Sequence, residues 1–277
     1  MGICACLAVP AASADVPLFT LARATLHGHG CPPVDLDDLV QNGALGVSYA
    51  DVNATSPFTC EDPFVNFAWD GYALSDVDLL AGQLHAVAFA SAAGRDATGS
   101  VVSASGQAMF EDTITLHGQG PGQLGITLAV DGTMSSTGMG VFFLSACFGT
   151  STGDVDASSV AVCETRDNYT QGNTLVGTPT AATDVDLHLG GVLPLTSEPI
   201  HLYASLLVQA NDGWQGGTAT MNFGNTAQLA ITVPEGYTFT SQSGMLLVDE
   251  PPATLQALAV CGAGLVVSRR RRGRPPA

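Results

Sequence analysis

The chain has 277 residues, enough for one large β domain or two small ones around a substantial core. Only 12% of its residues are charged, lysine is absent, and five of its eight arginines (Arg269, Arg270, Arg271, Arg272 and Arg274) lie in the last nine positions. The three remaining arginines face 25 acidic residues, a balance of −22. A body so acidic is repelled by nucleic-acid phosphates and by anionic lipid, which excludes both as partners.

Residues Gly2 to Ala14 read GICACLAVPAASA, an apolar run ending in Ala12-Ser13-Ala14. Small residues at the first and third places of that triplet match a signal-peptidase cleavage site, so residues 1–14 are expected to be a signal peptide. The apolar run is short and no positive charge precedes it, so the true start is expected to lie further upstream. The alternative is an apolar N-terminal strand. Export agrees with the cysteines. Cys4 and Cys6 leave with the leader and Cys261 with the tail, which leaves Cys31, Cys60, Cys147 and Cys163. In an oxidising compartment Cys31–Cys60 and Cys147–Cys163 are the natural local pairs, though four cysteines permit three connectivities. None sits in a CxxC spacing, which argues against zinc.

Residues 15–248 are expected to form one all-β ectodomain. Thr25 to Tyr72 holds Pro32, Pro33, Pro57 and Pro63 and predicts loops and short edge strands. Beyond it, short alternating or β-branched runs recur between Gly, Asp and Asn. Leu84–Ser91 (LHAVAFAS) is followed by Ser100–Ser105, Thr113–His117 and Leu124–Val130, the last ahead of an expected Asp131-Gly132 turn. Gly140–Cys147, Ser159–Glu164, Val185–Leu193 and His201–Gln209 come next. Thr218–Phe223, Gln228–Val233, Tyr237–Thr240 and Met245–Val248 complete the series. About twelve strands at intervals of roughly 8–12 residues predict an antiparallel β-sandwich, with a jelly roll as one form of it.

After Val248 the composition changes. Asp249-Glu250-Pro251-Pro252 is a polar, proline-stiffened break, Ala253–Val267 is a 15-residue stretch without charge, and Arg269 opens the basic cluster. A spanning helix needs about 20 apolar residues, so this segment is short, and Gly262 and Gly264 weaken it further. The arginines would stay on the cytoplasmic side. Residues 249–277 therefore predict a short hydrophobic helix that stops transfer and suits a transient membrane intermediate better than a permanent anchor.

The order Glu250-Pro251, small residues, short apolar helix and arginine cluster resembles the PEP-CTERM sorting signal. Asp249 stands where that family has its first proline. Phe110-Glu111-Asp112-Thr113 is similar to segments common in the family, as is Met221–Gly244 with its closing Ser-Gly. The resemblance implies an exosortase-type membrane transpeptidase as partner. It also implies cell-surface or extracellular delivery, often amid exopolysaccharide. Glu250, Pro251 and Arg269–Arg272 would then be the residues read by the sorting enzyme. It implies no particular activity of the ectodomain.

Candidate chemistry is sparse. His27-Gly28-His29-Gly30-Cys31 would place two imidazoles and a thiolate on one face of a strand, but offers no fourth ligand for a structural metal. Carboxylates two apart occur at Asp76/Asp78, Asp154/Asp156 and Asp184/Asp186, beside Asp35/Asp37/Asp38. Such pairs suit calcium, the one cation the sequence brings forward, although none lies in an EF-hand pattern. The competing reading is solvent-facing strand residues. No G-x-S-x-G elbow is present and no catalytic residue can be picked out, so an enzyme is not expected. Trp69, Tyr72 and Trp214 are expected in polar, Gly/Asp-rich loops, where aromatics can stack on sugars but more often plug a sandwich end. They support a rival reading, a secreted carbohydrate-binding module or carbohydrate-active enzyme with calcium-binding acidic loops. Asn53-Ala54-Thr55 and Asn168-Tyr169-Thr170 are N-glycosylation sequons, expected to be incidental in a bacterium.

Overall fold

The computed structural model describes residues 19–28, 33–41, 47–56, 67–94, 102–152, 160–168, 179–195, 197–212 and 217–244. Among these, thirteen strands occur and no helix: β1 (Phe19–Gly28), β2 (Val34–Gln41), β3 (Val47–Ser56), β4 (Phe67–Asp78), β5 (Gln83–Gly94), β6 (Val102–His117), β7 (Gln123–Gly138), β8 (Val141–Thr152), β9 (Val160–Asp167), β10 (Thr180–Pro194), β11 (Ile200–Asn211), β12 (Gly217–Thr232) and β13 (Thr238–Ser241). All pairings are antiparallel. A seven-stranded sheet runs β2-β1-β6-β11-β8-β9 with β13 beside β6, and a six-stranded sheet runs β10-β7-β12-β5-β4-β3. The protein is the expected β-sandwich.

Eight of the strands pair in nested order. β8 pairs β9, β7 pairs β10, β6 pairs β11 and β5 pairs β12, as in one long hairpin. That hairpin is rolled so that β7 also meets β12 and β8 also meets β11. This is jelly-roll connectivity, extended by β1 and β2 beyond β6 and by β4 and β3 beyond β5.

Alternation decides which side chains go inside. β5 turns Leu84, Ala86, Ala88, Ala90 and Ala92 inward, and β11 turns in Leu202, Ala204, Leu206, Val208 and Ala210. Small residues dominate one part of the interface, and there the sheets approach backbone to backbone. A Cβ on Gly106 of β6 would lie 2.5 Å from the Leu74 carbonyl oxygen and 3.0 Å from that of Val87. Elsewhere Phe110, Phe142, Phe148 and Phe223 fill the core. On one flank the Asp51 N–H donates to Asp38 Oδ2 at 3.0 Å, joining β2 to β3 across the two sheets. Deeper in, the buried hydroxyls of Thr20 and Ser48 hydrogen-bond at 2.9 Å.

Three expectations are corrected. Thr25–Tyr72 holds strands of 8 to 12 residues rather than short ones, although β2 and β3 are edges as expected. Of the prolines in that stretch, Pro32, Pro57 and Pro63 lie outside the described residues, and Pro33 immediately precedes β2. The sequence therefore brackets strands with proline instead of breaking them. Asp131-Gly132 is no turn, because β7 runs through it. Gly132 is needed inside the strand because a Cβ there would meet the Phe223 ring at 2.4 Å and the Asn222 carbonyl oxygen at 2.6 Å. Ser100–Ser105 and Thr113–His117 are also not separate strands, nor are Thr218–Phe223 and Gln228–Val233. β6 runs unbroken from Val102 to His117, and β12 from Gly217 to Thr232, with a register shift between Phe223 and Ala227 and with Val233 just past its end.

Candidate functional site

The outer face of the six-stranded sheet concentrates the exposed apolar groups. On β4, Asp70, Tyr72, Leu74, Asp76 and Asp78 point outward, and on β3 Val47, Tyr49, Asp51, Asn53 and Thr55 do so. Tyr72 lies opposite Asn53 on one side and Phe89 on the other. Its ring stacks on Phe89 with centroids 5.3 Å apart and planes 22° apart. Leu74 and Val87 continue the apolar patch as the next outward pair along β4 and β5. Tyr72 remains 40% exposed and Tyr49 49%, so both rings are presented to solvent.

Charge on this face has one sign. The six strands contain seven aspartates, Asp51, Asp70, Asp76, Asp78, Asp131, Asp184 and Asp186, all alternating outward, and no arginine or lysine. Asp51 sits diagonally from Tyr72 across β3–β4 and Asp70 two residues before it, so two carboxylates flank the ring. Tyr49 faces Asp76 directly. Partial burial, then the charges of Asp51, Asp76 and Asp38, hold its phenol above the usual tyrosine range. Within the described strands the arginines are Arg23 and Arg166, both in the other sheet.

The acidic pairs are largely engaged with neighbours. Asp76 contacts His85 Nδ1 at 3.2 Å, and Asp78 Oδ1 accepts the Ala81 N–H at 3.0 Å in the β4–β5 turn. Asp186 pairs with His188 at 2.9 Å and stands opposite Asp131 on β7. Asp35 pairs with His27 at 2.7 Å. Asp37 takes a two-pronged hydrogen bond from Arg23 at 2.9 and 2.7 Å, which holds its carboxyl below the usual range and the guanidinium above its own. Asp154 and Asp156 lie outside the described residues. Among the described residues no group of three or more His, Cys, Asp or Glu side chains is arranged to hold a metal.

Of the aromatic candidates, Trp69 and Tyr72 stand on strand β4 and not in loops, which corrects their expected placement. Trp69 is 3% exposed and its indole lies where a Cβ on Gly28 would come within 2.2 Å, so of the two readings it takes the plug and presents no ring to a sugar. Trp214, His29, Gly30 and Cys31 lie outside the described residues, as do Cys60, Glu250, Pro251 and Arg269–Arg272. Cys147 and Cys163 form the expected disulfide. They are directly opposed on β8 and β9, on the outer face of the seven-stranded sheet, with Cα atoms 4.2 Å apart. Asn168 is buried. Its Oδ1 accepts the Phe142 N–H at 2.9 Å, and its Nδ2 donates to Ser136 Oγ at 3.0 Å and the Gly140 carbonyl at 2.9 Å. The amide that a glycan would need is thus part of the fold.

The end of the described chain is also built. β13 pairs with the last four residues of β6, Ile114–His117, just past the point where β1 stops. At that changeover Asp112 points inward, 5% exposed. Its Oδ1 accepts the N–H groups of Thr113 at 2.7 Å and Ser243 at 3.2 Å, and its Oδ2 accepts the Ser243 hydroxyl at 2.6 Å. The Gln242 N–H donates to the Thr113 carbonyl at 2.7 Å. Phe110–Thr113 and the closing Ser243-Gly244, separate in sequence, are one contact. Upstream of it, Pro234-Glu235-Gly236-Tyr237 makes a turn with Gly236 at φ 84°, and the Tyr237 hydroxyl donates to the Gly120 carbonyl at 2.7 Å.

No family model matches the chain, and neither does any curated protein or solved structure compared with it.

Proposed function

We propose that this chain is an exported, non-catalytic bacterial surface or extracellular-matrix protein whose C-terminal segment is a cleavable sorting signal. The carrying observation is the order of parts after Val248: the Asp249–Pro252 break, 15 uncharged residues, then the arginines. An uncharged segment too short for comfortable spanning, closed by a basic cluster, holds a protein in the bilayer briefly and in one orientation. Glu250 and Pro251 would be read by an exosortase-type transpeptidase, and the jelly roll would be the delivered cargo. The Asp112–Ser243 contact supports this reading by tying the sandwich closed a few residues before the break, so that cutting there would leave the body intact. Surface fractionation followed by mass spectrometry of the mature C-terminus tests it. The expected product ends between Asp249 and Ala253, and recovery of intact Arg269–Ala277 on surface-exposed protein overturns it.

A second reading, a carbohydrate-binding module, is favoured by one observation: the solvent-presented rings of Tyr49 and Tyr72 on a single sheet face. It is compatible with the first, since sorting describes delivery and binding describes what is delivered.

A further inference from the structure

We infer that the outer face of the six-stranded sheet binds a polymer of amino sugars carrying free ammonium groups. This rests on the binding-module reading and assigns its ligand class.

Three observations carry the inference. Tyr72 and Tyr49 present rings to solvent beside the partly covered Phe89, Leu74 and Val87, an apolar patch on strands whose opposite faces already fill the core. A sugar ring has an apolar face that stacks on such an aromatic. The patch has four outward aspartates on its own strands β3 and β4, and three more stand across β12 on β7 and β10, with no arginine or lysine in any strand of the sheet. Asp51 and Asp70 border Tyr72, while Asp51 and Asp76 border Tyr49. An anionic or sulfated glycan would meet only like charge, whereas an ammonium group gains both the carboxylates and the negative faces of the rings. Finally, the Tyr72–Phe89 stack and the Leu74–Val87 pair stand on β4 and β5, interior strands hydrogen-bonded on both sides, so these positions offer a ligand side chains alone, as suits a saccharide. The edge beside the patch at which a basic peptide could add as a strand is β3, where the Asp51 N–H is already given to Asp38.

The test uses the full chain in detergent, with soluble deacetylated chitin as the probe and its N-acetylated form, alginate and polyarginine as comparisons. Because the whole body is acidic, specificity is judged between charge-matched variants. Asp51→Asn with Asp70→Asn removes two charges from the proposed face, and Asp35→Asn with Asp167→Asn removes two from the other sheet. Binding of the deacetylated polymer is expected to weaken about tenfold in the first pair and less than about twofold in the second. Tyr72→Ala is expected to weaken it about threefold to fivefold. Preference for the deacetylated over the acetylated polymer and over alginate completes the expected result. Equal losses in the two double variants overturn the inference, as does tighter binding of polyarginine. Equal binding of the acetylated polymer overturns the ammonium assignment while leaving a carbohydrate site standing. Absence of binding to every glycan sinks the site and the module reading together. The Asn variants sit on exposed strand positions, so a folded protein is expected in each, checked by its thermal transition.

Discussion

The buried carboxylate of Asp112 accepts the backbone N–H and the hydroxyl of Ser243, 131 residues later, at 3.2 and 2.6 Å. The contact lies where β6 changes partner from β1 to β13, so one side chain ties together the middle of the fold and the end of the described chain. Hydrogen bonds to a charged acceptor are worth more than neutral ones, about 1.5–3 kcal/mol each in net terms. Asp112→Ala is therefore expected to lower stability by about 2–3 kcal/mol in urea titration, with the N–H of Gln242 and the β13 amides losing exchange protection first. Unchanged protection in β13 would show that the strand is held by its pairing with β6 alone.

The Cys147–Cys163 bond closes the innermost hairpin of the nested set, its cysteines 16 positions apart in the chain. Loop-closure entropy for a loop of that length corresponds to about 3 kcal/mol. A Cys147→Ser, Cys163→Ser variant, or wild type in reductant, should lose about that much in a urea midpoint measurement. The fold should persist, since β8 keeps β11 as its partner on the other side.

Two glycines facing the core separate rigid from yielding neighbours. A Cβ on Gly106 meets the carbonyl oxygens of Leu74 and Val87, whereas one on Gly71 meets the ends of the Leu26 and Val102 side chains, at 2.5 and 2.9 Å. Backbone in a sheet interior cannot rotate away, and side-chain ends can. Gly106→Ala is expected to cost about 2–3 kcal/mol and Gly71→Ala about 1 kcal/mol. Thermal melts of the two variants, side by side, provide the check, and the reverse ranking would contradict the close approach of the sheets at Leu74.

Acid should loosen the β1–β2 edge. Arg23 holds the Asp37 carboxyl below its ordinary range, chiefly through their hydrogen bonds. A carboxyl depressed in the folded state adds stability that is full above its unfolded value of about 3.9 and lost as pH falls through the lower folded value. Both side chains are nearly half exposed, at 45% and 44%, so the contribution is expected to stay below about 1 kcal/mol and to shrink with salt. An NMR titration of the Asp37 carboxyl should move up to the ordinary range in Arg23→Gln. An unmoved midpoint would rule out Arg23 as the cause.

Much of this molecule could be read from residue order. Strict alternation in LHAVAFAS marks β5 as half-buried, and the same period two identifies β11 and the first half of β7. The even pairing of Cys147 with Cys163 followed from proximity along the chain. The aromatic and acidic face was less legible. Tyr49, Asp51 and Asp70 fall in the proline-bracketed stretch whose strands were expected to be short. Their shared face becomes visible only when β3 is seen to alternate beside β4.

What the sequence determined by itself is therefore the period: all-β character, the inward and outward sets within each strand, and the abrupt change of composition after Val248. Only the tertiary structure decided the partners. Ser91 meets Thr218, 127 residues away, and Asp112 meets Ser243 across 131. Alternation is a local property of neighbouring residues, whereas pairing in a rolled hairpin is chosen by how every strand's buried face fits every other. That is why Asp131-Gly132, a turn by its dipeptide, is strand in the fold. Beneath Gly132 the Phe223 ring has already claimed the space that any side chain would need.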